Sequence, residues 1–259
     1  MRKLNLALAV AGAALSTSAT AERITTLWHL VPVNPVPPSS VTWNQSFFEQ
    51  RLLPVRLVRT SADGVYNGKT LPAGTYLYLV FNDDQQIGYC TLKDRSAGHA
   101  AATLFIPILD QRPCFVDEDR DGKFEKTFSV FDKYGGPPTV RGSIKAAAPF
   151  GGLIPFTEVD PADLPLDLRV SMTIRGKREP EKARVSFQFS RYLGAQWYDE
   201  WRRRGSSEPV YDVLNTELRI DRISGDTAEI TLRYDRDAYM MTDNRNTLYG
   251  RHLPAFLRR

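Results

Sequence analysis

Carboxylate side chains recur at every second position in one short acidic segment of the chain. Asp117, Asp119 and Asp121 lead directly into a glycine, and Glu125 follows four residues after Asp121. Calcium is a hard cation that takes about six to eight oxygen ligands. Alternate carboxylates converge on one ion only where the chain turns sharply, which glycine permits because it has no Cβ. The segment therefore predicts a calcium site with ligands from Asp117, Asp119, Asp121, the carbonyl oxygen of Lys123, and Glu125.

This segment resembles the Asp-x-Asp-x-Asp-Gly calcium loops of EF-hands, dockerins and integrin-type propeller hairpins. An EF-hand requires a bidentate Glu at the twelfth loop position, but Phe128 stands there and no helical pattern leads into the segment. Glu125 at the ninth position suits the shorter hairpin version, with strands at 114–116 and 124–130. The alternative is an acidic turn without metal, because Asp-Gly between apolar strands already favours a hairpin. Either interpretation gives the loop a structural role.

A second group of residues combines two indole rings with a run of positive charge. The two tryptophans are four positions apart and would share one face of a short helix near 195–204, which Gly205 would close. Together with the arginines they could grip anionic glycan or lipid head groups. The alternative is that the rings pack inward while the arginines face water. This candidate ligand patch consists of Trp197, Trp201, Arg202, Arg203 and Arg204.

No motif in the sequence identifies a catalytic residue. The three histidines stand in distant and unlike contexts, which disfavours a His-rich metal site. The chain has no Gly-x-Ser-x-Gly elbow, phosphate-binding loop or Ser-x-x-Lys motif. A glycosidase-like pair needs only two carboxylates close together in space, and sequence spacing does not reveal such a pair. The catalytic residues are therefore unknown.

The N-terminal residues predict export. Arg2 and Lys3 precede an apolar run at 4–15, and Ala19-Thr20-Ala21 ends the segment. This is the order of a secretory signal peptide covering 1–21, and the run is too short to span a bilayer core of about 30 Å. No later stretch is long enough to do so, so we expect no transmembrane segment in the mature chain and a periplasmic or secreted location.

The charge balance of the mature chain argues against nucleic acid as a partner. Loss of Arg2 and Lys3 lowers the count of basic residues from 34 to 32, against 30 acidic residues. These charges are evenly mixed along an exported chain, whereas nucleic-acid-binding proteins concentrate positive charge.

The two cysteines, Cys90 and Cys114, lie in apolar, strand-like contexts. Neither belongs to a Cys-x-x-Cys motif, so a redox role is disfavoured. In an oxidising compartment two such cysteines are expected to pair. A disulfide closing a loop of this length stabilises a fold by about 3 kcal/mol.

Apolar and polar residues alternate with a period of two over much of the chain, most clearly after residue 168. Such a period marks antiparallel strands that bury one face. The fold class predicted is all-β and mainly antiparallel, as a β-sandwich or two small β-modules, with the one short helix near 195–204. The alternating segments are 170–174, 183–190, 214–220 and 228–234.

Proline and glycine mark the expected boundaries between parts of the chain, because they interrupt helices and sheets. Four prolines between Val31 and Pro38 predict an extended arm, and prolines and glycines recur at 146–167. A single sandwich with one long loop is the alternative. The predicted parts are a signal peptide (1–21), an N-terminal arm with a Pro-rich linker (22–54), a β-module with the disulfide and candidate calcium loop (55–145), a linker or long loop (146–167) and an antiparallel β-module (168–259).

These features favour an exported, non-enzymatic, β-rich protein that binds an envelope component, either a glycan, a lipid or a protein, and that calcium stabilises. One alternative is a secreted hydrolase, glycosidase-like in chemistry, that uses an undetected carboxylate pair. Another is a structural subunit of an envelope assembly.

Overall fold

The structure is a computed structural model that describes residues 22–92, 111–132, 140–179, 182–189, 197–199, 210–213, 216–243, 248–251 and 253–258. Over these residues the chain forms β-strands and two short 3-10 helices, Pro161–Asp163 and Ala255–Leu257, and no α-helix. The strands pair antiparallel, so the predicted all-β, mainly antiparallel class is confirmed. Within the same ranges no helix has the length and hydropathy that crossing a bilayer would need.

The first twelve strands run from the N-terminal region to the middle of the chain. They are β1 (Ile24–Pro32), β2 (Ser40–Thr42), β3 (Ser46–Pro54), β4 (Leu57–Thr60), β5 (Gly64–Tyr66), β6 (Lys69–Leu71), β7 (Tyr76–Asn82), β8 (Ile87–Thr91), β9 (Gln111–Val116), β10 (Lys123–Asp132), β11 (Val140–Arg141) and β12 (Ala148–Val159).

The remaining strands complete the sheet structure towards the C-terminus. They are β13 (Arg169–Gly176), β14 (Ala183–Phe189), β15 (Trp197–Asp199), β16 (Val210–Val213), β17 (Thr216–Ser224), β18 (Thr227–Tyr234), β19 (Tyr239–Asp243) and β20 (Leu248–Arg251).

Six strands close into a barrel. The ring runs from β4 through β12, β10, β9, β8 and β7 and returns to β4. It closes because β7 pairs along one edge with β8 and along the first part of its other edge with β4. Closure satisfies the strand edges that an open sheet would leave unpaired. The predicted β-sandwich is not confirmed.

Aromatic rings fill the barrel interior. Tyr89 on β8 and Phe156 on β12 lie with their ring centroids 5.6 Å apart, although their strands stand opposite each other in the ring. Phe124 stacks on Phe156 at 4.3 Å and on Phe115 at 5.4 Å. Phe115 and Phe124 are fully buried. Such close-packed rings contribute large apolar burial together with favourable ring geometry.

An open sheet extends from the barrel through β1. This strand pairs with β7 at its start, with β3 over its second half, and with β19 on its other edge. From β3 the sheet continues to β13, β14 and β15. One apolar cluster packs against it and includes residues of both halves of the chain, among them Trp28, Tyr78, Val185 and Phe187. A separate four-stranded sheet runs in the order β16, β17, β18, β2, and β5 and β6 form a hairpin.

The interpretation of 146–167 as a linker or long loop is wrong, because Ala148–Val159 forms β12, one wall of the barrel. The prolines and glycine are tolerated because the ladder is irregular where they lie. Pairing with β10 jumps from Ile154 to Pro149, and Gly151 between them has a φ of +77°. A bulge of this kind accepts residues that a regular central strand would reject.

The segment 22–54 is also more than an arm, since β1 and β3 lie within the open sheet.

The prediction of a short helix near 195–204 is wrong for the part of that segment that the structure describes. Trp197–Asp199 is strand β15, paired with β14 so that Trp197 lies opposite Gln188. Pairing with the open edge of β14 overrides the local helical spacing. The other residues of 195–204 lie outside the described ranges.

Candidate metal centre

The acidic segment forms the loop of a β-hairpin between β9 and β10. The two strands are antiparallel partners from Lys126 opposite Val116 to Phe131 opposite Gln111, so the predicted hairpin is confirmed. The predicted disulfide is also confirmed, since Cys114 on β9 is bonded to Cys90, its register partner on β8. The loop is therefore fixed at its base by the barrel ladder and by a covalent link to the next strand.

The loop backbone turns at two residues in the left-handed region. Arg120 has a φ of +65° and Gly122 a φ of +84°. Asp117 organises this turn, because its Oδ1 accepts the backbone N–H of Asp121 at 3.2 Å and its Oδ2 accepts that of Gly122 at 3.1 Å. A carboxylate has about four lone-pair sites, so these bonds leave further acceptor capacity on Asp117.

Four carboxylates converge at this loop. One oxygen from each of Asp117, Asp119, Asp121 and Glu125 lies within 4.8 Å of the others, so the group could hold a metal ion. Calcium binds oxygen at about 2.3–2.6 Å, so two oxygens on opposite sides of one ion are about 5 Å apart. The observed spacing fits one shared calcium coordination sphere.

Glu125 contributes a buried oxygen to the group. Its Oε2 accepts the backbone N–H of Glu118 at 2.9 Å. Its Oε1 is buried and, within the described part of the chain, has no hydrogen-bond partner. Burial raises the pKa of Glu125 above its ordinary value of 4.5, and the negative charges of Asp117 and Asp119 raise it further, against the lowering effect of the Glu118 bond. A bound cation would supply the missing partner of Oε1 and neutralise this repulsion.

Two lysines already balance part of the negative charge. The Lys123 ammonium lies 2.6 Å from Oδ2 of Asp121 and the Lys126 ammonium 2.5 Å from Oε1 of Glu118. The hydrogen bond from Lys123 lowers the pKa of Asp121, and the same contact raises the pKa of Lys123. Lys123 thus contacts the site through its ammonium group, while the role of its carbonyl oxygen as a ligand stays a prediction.

The candidate ligand patch falls mostly outside the described residues. This holds for Trp201, Arg202, Arg203 and Arg204, and for Trp197 only the backbone of β15 is described. The patch therefore stays a prediction.

A polar cavity of about 390 Å³ lies on the open sheet and was not predicted. Its lining comes from β3, β13, β14 and the segment before β13, which are distant in sequence. Ser171 and Gln188 are polar residues in strands of alternating polarity. The sequence therefore shows that each lies on the polar face of its strand, but not that the two side chains are neighbours. The lining residues are Ser46, Glu49, Asp167, Arg169, Ser171, Gln188 and Phe189.

Comparison of the chain with protein-family models finds no match. Searches among curated proteins and among solved structures find none either. The functional argument therefore depends on the geometry of the two sites.

Proposed function

We propose that the protein is an exported, non-enzymatic binding protein of the cell envelope whose barrel is stabilised by calcium at the β9–β10 hairpin. The observation that carries the metal proposal is the convergence of four carboxylates, with the buried Oε1 of Glu125 lacking a hydrogen-bond partner among the described residues. A buried acceptor without a partner is costly, so this oxygen gains from a cation.

The donor set favours calcium over other metals. All four side chains offer carboxylate oxygen, which suits hard cations, whereas zinc and copper sites draw on His or Cys ligands. Magnesium prefers a strict octahedron with several waters and about one or two carboxylates. Four carboxylates at one hairpin match the larger and less demanding coordination sphere of calcium.

The metal would act on stability and not on chemistry. The loop joins β9 to β10, and Cys114 on β9 carries the disulfide, so an ion there would fix one end of the barrel wall. The Lys123 ammonium, 2.6 Å from Oδ2 of Asp121, competes with calcium for this carboxylate. This built-in competitor predicts weak affinity, on the order of 10⁻⁴ to 10⁻³ M, as in extracellular modules.

Cleavage after Ala21 would make Glu22 the first residue of the exported protein, and its side chain contacts the folded chain. Its carboxylate accepts hydrogen bonds from the side chain of Asn82 at 2.5 Å, from the Ser143 hydroxyl and from the backbone N–H of Lys145 at 3.3 Å. The folded chain is therefore anchored from the first residue of the predicted mature protein. N-terminal sequencing of the exported protein tests this, with Glu22 expected as the first residue.

The metal proposal is tested by melting curves recorded in millimolar calcium and in chelator. Calcium should raise the midpoint, because a ligand that binds only the folded state stabilises it, by about 1.4 kcal/mol at tenfold its dissociation constant. Glu125→Gln should abolish this rise, since it removes a ligand charge. Glu229→Gln is the matched control, because Glu229 forms an exposed ion pair with Arg222 on β17. An unchanged midpoint in millimolar calcium would refute the metal site.

A further inference from the structure

Two exposed apolar side chains lie beside the candidate metal centre. Five large apolar side chains are exposed among the residues that the structure describes, and two of them are Val65 on β5 and Leu153 on β12. Their exposed fractions are 63% and 57%. Scattered exposed apolar residues are ordinary on a protein surface, so what distinguishes these two is their position next to the β9–β10 hairpin.

The strand register places Leu153 next to the candidate ligand Glu125. Ile154 on β12 pairs with Phe124 on β10, and both side chains are fully buried. Successive residues of a strand point to opposite faces. Leu153 and Glu125, which adjoin this pair on the two strands, therefore project from the outer face of the barrel.

The bulge of β12 carries Leu153 at the surface. The irregular ladder between β10 and β12 leaves residues 150–153 opposite Glu125 alone. No atom of the described residues lies within 4 Å of the position that a Cβ on Gly151 would take. The tip of the bulge is therefore not packed against another described part of the chain.

The β5–β6 hairpin adds Val65 beside this bulge. Gly64 packs directly on the side chain of Ile154, so Val65, the next residue of β5, points away from the barrel. The carbonyl oxygen of Val65 lies 3.3 Å from the position that a Cβ on Gly152 would take. Val65 and Leu153 therefore form one small exposed surface beside the metal centre, which we call the apolar tip.

The charge of the β9–β10 hairpin depends on whether a cation is bound. Residues 117–126 include five acidic and three basic residues, which gives a net charge of −2, and one calcium ion raises this charge to zero. The Lys123 ammonium, 43% exposed, is paired with Asp121, and calcium at Asp121 would release it. Arg120 is exposed at the turn. The empty hairpin therefore repels an anionic surface, whereas the loaded hairpin presents Lys123 and Arg120 to it.

From this arrangement we propose that calcium docks the apolar tip on the surface of an anionic phospholipid membrane. Apolar side chains beside cations suit the boundary between lipid head groups and acyl chains, where binding grows with apolar burial and with attraction to anionic lipid. Calcium takes about six to eight oxygen ligands, so four carboxylates leave positions for lipid phosphate oxygens.

A lipid surface fits the apolar tip better than a protein partner does. A stable protein interface buries about 800 Å² on each partner, and it requires a complementary shape. Two exposed apolar side chains are far fewer than such an interface uses, whereas a fluid lipid surface adapts to them. This inference rests on the proposed calcium site and narrows the partner of the proposed binding function to a lipid.

The test is co-sedimentation of the exported chain with vesicles of phosphatidylcholine, alone or mixed with phosphatidylglycerol, in millimolar calcium and in chelator. We expect binding only to the vesicles that contain phosphatidylglycerol, and only in calcium. Leu153→Ser should weaken this binding by about tenfold, because it withdraws a large apolar side chain from the lipid, and Glu125→Gln should abolish it. The matched control is Val36→Ser between β1 and β2, since Val36 is 69% exposed and lies outside the barrel. This control should leave binding unchanged.

Melting midpoints show whether the variants remain folded. Equal binding in calcium and in chelator, or unchanged binding by folded Leu153→Ser, would overturn the inference. Dimerisation in calcium without vesicles, abolished by Leu153→Ser in size-exclusion chromatography, would assign the apolar tip to a second copy of the chain and also overturn it. The calcium melting curve separates the two proposals. A calcium shift without vesicle binding rejects the lipid surface alone, whereas the absence of both rejects the metal site and the lipid surface together.

Discussion

The barrel and the open sheet use the same antiparallel ladders for opposite purposes. In the barrel, closure buries rings such as Phe115 and Phe124 completely. In the open sheet, one face of β13 and β14 packs in an apolar cluster, and the other face carries polar groups, of which Thr173 and Ser186 are fully buried and Arg169 is partly exposed. The comparison teaches that the closed ring encloses packed aromatic rings, whereas the open sheet also buries hydroxyl groups on the face opposite its apolar cluster.

The comparison would fail if the aromatic interior of the barrel contributed little to the free energy of unfolding. Phe124→Ala should lower the free energy of unfolding by about 3–5 kcal/mol, because a fully buried ring in contact with Phe115 and Phe156 leaves a cavity. Urea denaturation measures the loss. Phe131→Ala on the same strand is the control, since Phe131 is 45% exposed and should change stability by less than about 0.5 kcal/mol. Equal effects of the two variants would contradict the assignment of the interior.

Removal of the disulfide should have the next largest effect. The double variant Cys90→Ser and Cys114→Ser should lose about 3 kcal/mol, because the unfolded chain regains the freedom of the loop between them. Denaturation of the variant and of the native protein, each with and without a thiol reductant, measures this loss. Reductant should destabilise the native protein and leave the double variant unaffected. If the native protein does not respond while its disulfide is demonstrably reduced, the cross-link does not stabilise the barrel.

The smallest effect concerns the charge of Glu125 without metal. Its pKa is raised in the folded state, so the folded protein binds this proton more tightly than the unfolded chain does. The resulting stability is fully present below pH 4.5, the ordinary value, and is lost as the pH rises through the higher folded pKa. In chelator, the stability of the native protein relative to Glu125→Gln should therefore fall as the pH rises above 4.5.

Urea denaturation of both proteins over a pH series in chelator checks this trend. The difference between them isolates Glu125 from groups that they share, including Asp121, whose pKa is lowered. Added calcium should reverse the trend, because the ion stabilises the ionised carboxylate. A difference in stability that rises with pH in chelator would contradict the raised pKa.

Features that depend on local sequence were predictable. The hairpin follows from Asp121-Gly122 between apolar segments, and the disulfide follows from two cysteines in strand-like contexts. Barrel closure was not predictable, because it requires β12 to pair with β4, a strand distant in sequence, and no local signal marks that contact. The strand nature of 148–159 was hidden by Pro149 and Pro155, which regular strands seldom accept.

The cavity of the open sheet was not predictable from the sequence for a different reason. Glu49 and Arg169 form an ion pair across 120 positions of sequence, and no spacing rule connects them. The alternation of β13 and β14 correctly predicts that Ser171 and Gln188 belong to polar faces. Only the register between the strands shows that these faces join at one place.

The pairing of β1 has a consequence for the order in which the polypeptide acquires its native form. This strand bonds to Gln50–Pro54 on one side and to Tyr239–Asp243 on the other, so its hydrogen bonds are completed only once nearly the whole chain has been synthesised. Contacts of such high order slow folding. The complete open sheet is therefore assembled after synthesis and not during it.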